Sequence, residues 1–270
     1  MNVSHKGRVE CRNVGVVFGE AEARTTAIGD VSLTVQPGEF VSLIGPSGCG
    51  KSTLLNIVAG FTQPSRGQVT LDGAAITKPG PERGMVFQQY SLFPWLTVRK
   101  NVEFGLRMAS MPTAQRAATA RTLLSLAGML AFENHYPDQL SGGMKQRIGI
   151  VRALATNPQV VLMDEPFGAL DTQTRSVMQE VLTAIWQKFR LSVLFITHDI
   201  EEAIFLSDRI YVMTARPGRI KAEITVPLSR PRTAQMTDSP EFNTLVRELK
   251  GLIREESLAA MGAELSEGGP

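Results

Sequence analysis

The stretch Phe40-Val41-Ser42-Leu43-Ile44-Gly45-Pro46-Ser47-Gly48-Cys49-Gly50-Lys51-Ser52-Thr53 decides the fold. A short apolar run without alternation reads as a buried strand over 39–44, and the apolar residues from Leu54 to Val58 read as a helix over 51–59. Between them lies the pattern Gly-x-x-x-x-Gly-Lys-Ser. Such a loop binds phosphate because successive backbone N–H groups turn inward and a helix N-terminus adds the positive end of its dipole. Glycine lets the backbone close on the anion. Lys51 is placed to reach the β- and γ-phosphates, and the Ser52 hydroxyl to ligate Mg²⁺.

Other apolar runs end in polar groups at the edge where ligands of open α/β sheets bind. Val160-Val161-Leu162-Met163 closes on Asp164 and Glu165. Asp164 reads as a ligand of Mg²⁺ through water. Glu165 reads as the group that polarises the attacking water or takes its proton, or else as a solvated strand-end charge. Val193-Leu194-Phe195-Ile196-Thr197 closes on His198-Asp199, where a histidine can sense a γ-phosphate; neither His5 nor His135 is so placed. Gln88, after Gly84-Met85-Val86-Phe87, offers an amide to Mg²⁺ or water. Finally, Leu140-Ser141-Gly142-Gly143-Met144 is a second glycine-rich loop that opens a helix. It reads as half of a nucleotide site whose other half comes from a second molecule. A plain N-cap accounts for Ser141 but leaves the two glycines without a reason.

Lys and Arg number 28 against 26 acids, a net charge of +2 that gives no electrostatic footprint for nucleic acid. Two cysteines, Cys11 and Cys49, exclude a disulfide framework and fit a reducing compartment. Residues 1–10 lack a signal-peptide core, and no run approaches the roughly 18 apolar residues of a membrane helix. A soluble chain is expected, held at a membrane only by another protein.

Strands are expected at 8–18, 30–35, 39–44, 67–71 and 85–87. Helices follow at 97–109, 113–128 and 141–155, punctuated by Pro94, Pro112 and Pro137. Strands at 159–164, 192–197, 209–214 and 220–226 then alternate with helices at 172–189 and 199–206. This alternation implies a parallel sheet covered by helices, interrupted by a helical insert over about 89–158. Arg230-Pro231-Arg232 begins a linker. Phe242, Leu245, Val246, Leu249, Leu252 and Ile253 then share one face of a terminal helix, read as packing rather than as a partner groove. The tail ending Glu267-Gly268-Gly269-Pro270 is expected to be disordered.

With these motifs in this order, residues 8–230 resemble the ATP-binding subunits of ABC transporters. The resemblance implies an α/β fold of the P-loop NTPase type, with a mixed sheet core, an N-terminal antiparallel β subdomain and an inserted helical subdomain. One ATPase domain would span 1–230, with a linker, amphipathic helix and tail over 231–270. By resemblance, Gly45, Pro46, Ser47, Gly48, Cys49, Gly50, Lys51, Ser52 and Thr53 are the Walker A loop that holds ATP. Ser52, Gln88 and Asp164 attend Mg²⁺, while Glu165, His198 and Gln88 serve hydrolysis. Ser141, Gly142 and Gly143 are the signature motif, and Asp171 closes the D-loop Ala169-Leu170-Asp171. The aromatic that stacks on adenine falls on Phe18, where tyrosine is common; a strand-end Phe reads equally as core.

In this family two subunits pair head to tail, each ATP lying between one Walker A loop and the other signature motif. The expected partners are a second ATPase subunit, identical in a homodimer, integral membrane permease subunits and, indirectly, a substrate-binding protein; nucleic acid is not expected. The implied location is peripheral, on the cytoplasmic face of the inner membrane. Tyr90-Ser91-Leu92-Phe93-Pro94-Trp95 is either the groove for a permease helix or core of the helical insert. Met144, Gly80-Pro81-Glu82-Arg83-Gly84, Leu92-Phe93-Pro94-Trp95 and Ala215-Arg216-Pro217-Gly218-Arg219 resemble importers of the nitrate/sulfonate/taurine type, hence a small-anion cargo.

A soluble ABC-type ATPase acting on nucleic acid or ribosomes is disfavoured by the single motif set and near-neutral charge. A P-loop kinase is disfavoured by the signature loop. Cys49 lies near a helix N-terminus, which tends to lower a thiol's pKa. It reads either as a tolerated small residue or as a thiol whose modification inhibits.

Overall fold

The computed structural model describes residues 6–19 and 24–267, so His5 and the last three tail residues lie outside the described residues. The chain forms two compact units, Met1–Pro79 with Ser192–Pro270, and Gly80–Leu191. The first unit opens with strands β1 (Val9–Phe18), β2 (Thr25–Val35) and β3 (Phe40–Ile44), helix α1 (Lys51–Ala59), and strands β4 (Arg66–Leu71) and β5 (Ala74–Ala75). The second holds β6 (Arg83–Val86), α2 (Val98–Met108), α3 (Thr113–Leu126), α4 (Gly142–Ala155), β7 (Val160–Asp164) and α5 (Thr172–Phe189). The first unit is completed by β8 (Ser192–Ile196), α6 (Ile200–Leu206), β9 (Arg209–Met213), β10 (Gly218–Thr225) and α7 (Pro240–Glu267).

The strands of the first unit lie in the order β5-β4-β1-β2-β10-β9-β3-β8. The sheet is mixed. β3 runs parallel to β8 and β9, whereas β1 pairs antiparallel with β2 and β4, and β10 antiparallel with β9. All five residues of β3 and of β8 are buried, as expected for strands covered on both faces. Phe40 and Phe195 pack within this layer with ring centroids 5.6 Å apart. In the second unit β6 runs parallel to β7, and α2, α3 and α4 fall inside the expected helical insert.

The alternation of elements alone implies a parallel sheet and is blind to hairpins such as β1–β2; the mixed core and antiparallel N-terminal strands are those the family resemblance implies. β2 also starts earlier than the expected 30–35, because Gly29 and Asp30 look like breakers in sequence. At Gly29 an added Cβ would lie 3.0 Å from Arg219 Nε, so the glycine admits a side chain lying across the sheet. β1 does not alternate cleanly, since its register shifts three times between Cys11 and Val17.

α7 packs as its apolar stripe implied. Phe242, Leu245, Val246 and Leu249 are buried, while Leu252 and Ile253 are half-buried. Glu267 belongs to this helix rather than to a loose tail. The segment read as a linker is instead pinned by both of its arginines. Arg230 donates to Asp208 Oδ1 (2.8 Å) and the Leu206 carbonyl (2.6 Å). The buried Arg232 donates from Nη1 to the carbonyls of Ile204 (2.8 Å), Phe205 (3.0 Å) and Ser207 (2.6 Å), closing the C-terminal end of α6. Burial pushes this guanidinium down to about 10, still charged at neutral pH, and the negative end of the helix dipole favours that charge.

Arg232→Ala strands three helix-end carbonyls. It is expected to lower stability by about 2–3 kcal/mol, read from the urea midpoint, with Arg232→Lys recovering part of the loss. An unchanged midpoint in Arg232→Ala would show that these carbonyls find other partners.

Candidate functional site

In the first unit, the chain turns at the end of β3 through Gly45 to Gly50. Gly48 (φ 73°) and Gly50 (φ 103°) occupy left-handed backbone that a Cβ would strain. Gly50 is also the N-cap of α1, and no side chain caps that helix. Gly50 itself offers the first amides of α1 no side-chain oxygen, which suits the turn to an anion. The buried Lys51 donates from Nζ to the carbonyls of Gly45 and Pro46, both at 2.8 Å, folding its ammonium over the loop. Ser52 is exposed and Thr53 half-buried in the first turn of α1. Pro46 and Ser47 complete the loop, and Cys49 N donates to the Pro46 carbonyl at 3.4 Å.

Cys49 corrects one expectation. The helix N-terminus was read as lowering its pKa, but the side chain is buried, and burial pushes the thiol up despite the Lys51 ammonium 3.8 Å away. Phe18 ends β1 and is 48% exposed, so the core reading fails and its ring is available for stacking. His198 follows β8 with an exposed side chain. The turn that carries it is fixed: Asp199 N donates to Thr197 Oγ1 (3.0 Å), and Asp199 Oδ1 accepts from Glu202 N (3.1 Å) to cap α6.

In the second unit, Asp164 is the half-buried last residue of β7, and Glu165 follows in left-handed backbone with φ 42°. A non-glycine residue held there is strained, and such strain persists only where its surroundings fix it. Gln88 and Glu165 both border Gly168: an added Cβ there would lie 3.6 Å from Gln88 Nε2 and 3.7 Å from Glu165 Oε2. Asp171 caps α5, its Oδ1 accepting from Thr174 N at 3.0 Å, and that backbone hydrogen bond holds its carboxyl below the usual range.

Ser141 caps α4 by accepting from Met144 N at 3.4 Å. The two glycines after it have packing reasons that the sequence did not reveal. A Cβ on Gly142 would lie 2.7 Å from Tyr90 Oη, and one on Gly143 would lie 2.6 Å from Thr174 Cγ2. The Cβ on Gly142 would also lie 3.7 Å from Leu170 Cδ2. The unit thus joins the Gln88 segment, the signature turn and the start of α5 in one contiguous cluster.

The aromatic stretch is packed in one part and exposed in another. Phe93 packs against Phe104 (4.5 Å between centroids) and under Arg152, whereas Trp95 is 71% exposed. Asn101, buried in α2, accepts from Phe93 N (2.8 Å) and donates to the carbonyls of Phe93, Leu96 and Thr97. An asparagine in a helical run gave no signal of that clamp.

Each unit by itself offers hard oxygen donors of the kind Mg²⁺ takes: the Ser52 hydroxyl in the first, and the Asp164 carboxylate and Gln88 amide in the second. Among the described residues no cluster of three or more His, Cys, Asp or Glu could hold a metal ion. No helix among the described residues is long and apolar enough to cross a membrane.

Residues 28–168 match the family model described as ABC transporter. The nitrate import ATP-binding protein of Synechocystis sp. is 46% identical over 91% of this chain and 95% of its own. The taurine import ATP-binding protein of Rhizobium johnstonii is 48% identical over 89% and 94%. Among solved structures, an ATP-binding cassette dimer in a post-hydrolysis state with ADP and Pi is 35% identical, with a TM-score of 0.72, over 82% of this chain and all of that one.

Two outcomes follow from the site geometry. Near neutral pH a maleimide is expected to leave Cys11 and Cys49 unlabelled in the native protein and to label both in urea, because both are buried and Cys11 is pushed up to about 12. Fast native labelling of Cys49 would mean that the loop opens far more than its burial implies. Separately, Gly143→Ala gains about 1 kcal/mol of helix propensity but forces a methyl against the stiff side chain of Thr174, costing about 1–3 kcal/mol. The variant is expected to be less stable, and Gly143→Ala/Thr174→Ser to recover; denaturant midpoints that rank the other way would refute the packing account.

Proposed function

As the chain belongs to the ATP-binding subunits of ABC transporters and is an ATPase of importer type, we propose that it powers uptake of a small anion through separate membrane permease subunits. In this reading, Gly45 to Thr53 hold the phosphates of ATP, and Phe18 stacks on the base. Ser52, Gln88 and Asp164 attend Mg²⁺, which supplies charge neutralisation at the phosphates. Glu165 takes a proton from the attacking water, and His198 contacts the γ-phosphate. Ser141, Gly142, Gly143 and Asp171 act on nucleotide held by a second, identical subunit. The single observation that supports this most is Glu165, a carboxylate held in strained backbone at the end of a buried strand with Gln88 beside the same gap.

The small-anion reading is supported by the names of two relatives, one for nitrate and one for taurine import, at nearly equal identity. That near-equality also implies that cargo choice lies in other chains of the system, since nitrate and taurine differ greatly in size. A permease and a substrate-binding protein would then be the partners. The subunit would sit on the cytoplasmic face of the membrane without crossing it.

Glu165→Gln tests the catalytic assignment. Turnover is expected to fall by at least about 100-fold while ATP still binds, and light scattering is expected to show an ATP-dependent dimer. Normal hydrolysis by this variant would remove Glu165 from the mechanism, and a monomer that binds ATP would remove the shared site.

A further inference from the structure

Ala215-Arg216-Pro217-Gly218-Arg219, which the sequence offered only as a subgroup pattern, joins β9 to β10 behind the phosphate loop. The turn closes on itself: Thr214 N donates to the Arg219 carbonyl (2.9 Å), and Arg219 N to Thr214 Oγ1 (3.0 Å). From it, Arg216 Nη2 donates to the Gly48 carbonyl at 3.2 Å. Gly218 lies so close that a Cβ there would overlap the Cys49 carbonyl. Its backbone is not among the positive-φ glycines, so close approach and not conformation demands glycine. At the other end of the loop, a Cβ on Gly45 would lie 3.0 Å from the Met213 carbonyl. Residues 213–218 therefore back the loop at both ends.

α7 holds the same turn from the other side. Ala215 N donates to Glu256 Oε2 (2.9 Å), and Lys221 Nζ donates to Glu256 Oε1 (2.8 Å) and Glu255 Oε2 (2.6 Å). Burial opposes the charge of Glu256, yet Lys221 and the Ala215 N–H hold its carboxyl below the usual range.

We propose that the 214–219 turn, braced by Glu256, is a strut that sets the phosphate loop, with Arg216 as a positioning residue for nucleotide binding. The Gly48–Cys49 and Cys49–Gly50 peptides are planar and trans, so a carbonyl held on one side aims the following N–H to the other. Holding the Gly48 carbonyl to Arg216 aims the Cys49 N–H at the Pro46 carbonyl, which closes the loop, and holding the Cys49 carbonyl against Gly218 aims the Gly50 N–H into it. A closed loop with an inward amide is what a phosphate needs. The C-terminal helix is thereby linked to nucleotide affinity through two side chains, without touching nucleotide itself.

This inference rests on the reading of residues 45–53 as the ATP site, and the test separates the two. The full chain is titrated with a fluorescent ATP analogue and assayed for steady-state hydrolysis. Arg216→Ala is expected to raise the dissociation constant and KM roughly three- to tenfold, the range of one exposed hydrogen bond, with kcat largely kept. Arg216→Lys recovers part of the affinity. Glu256→Ala shifts affinity the same way, Glu256→Gln less, and Arg216→Ala/Glu256→Ala is no worse than the weaker-binding single variant, because both act through one turn. Gly218→Ala should weaken binding by displacing the Cys49 carbonyl; if it fails to fold, the Arg216 and Glu256 variants decide. Unchanged affinity in Arg216→Ala, or strictly additive losses in the double variant, would overturn the strut. If Lys51→Ala bound the analogue as tightly as the natural chain, the ATP-site reading would fall instead.

Discussion

β3 can keep only one register, and most of the first unit follows from that. All five of its residues are buried, parallel neighbours bond it on both sides, and its one polar side chain, Ser42, meets Ser207 Oγ at 2.5 Å. A slip of one residue would misplace that hydroxyl and every apolar neighbour at once. With the register pinned, Leu43 lies opposite Ile196 and Ile44 opposite Val212, so the three strands end together. The loops that carry Lys51, His198 and Arg216 therefore leave from one edge. The second unit repeats the device on a smaller scale. Val86 lies opposite Met163, which brings the Gln88 segment and Asp164–Glu165 to one edge of the β6–β7 pair.

At these edges the chemistry depends on backbone as much as on side chains. Three helices that begin beside motif residues are capped by their own side chains, at Ser141, Asp171 and Asp199. α1 is not, because its N-cap is Gly50. A side-chain oxygen there would compete with an anion for the first amides of α1, so glycine costs some helix stability and suits the turn to an anion. Glu165 shows the opposite arrangement. Its left-handed backbone costs of order 1 kcal/mol, and it is held by a turn in which Gly168 N donates to its carbonyl at 3.2 Å over the fully buried Phe167.

What the sequence made legible was local. Strand 39–44, helix 51–59 and the strand-end residues Asp164 and His198 stand where short patterns placed them, since an apolar run and the break after it are properties of adjacent residues. What it hid depends on partners far along the chain. Arg232 looked like linker because its three acceptors lie more than twenty residues away, at the end of α6. Gly218 looked like family decoration because its reason for being glycine is the Cys49 carbonyl. The Cys49 thiol was misjudged because the helix dipole is visible in sequence and burial is not.

The glycine pair of the signature turn is the most instructive of these cases. In sequence Gly142 and Gly143 have no reason but a phosphate, yet Tyr90 and Thr174 explain their lack of side chains within one unit. Packing and phosphate binding are not rivals here. Tyr90 stands two residues after Gln88, and its hydroxyl rests where a Gly142 side chain would be; Leu170, beside Asp171, fills the same corner. The glycines allow this close fit, and a side chain at either position would have to displace Tyr90 or Thr174.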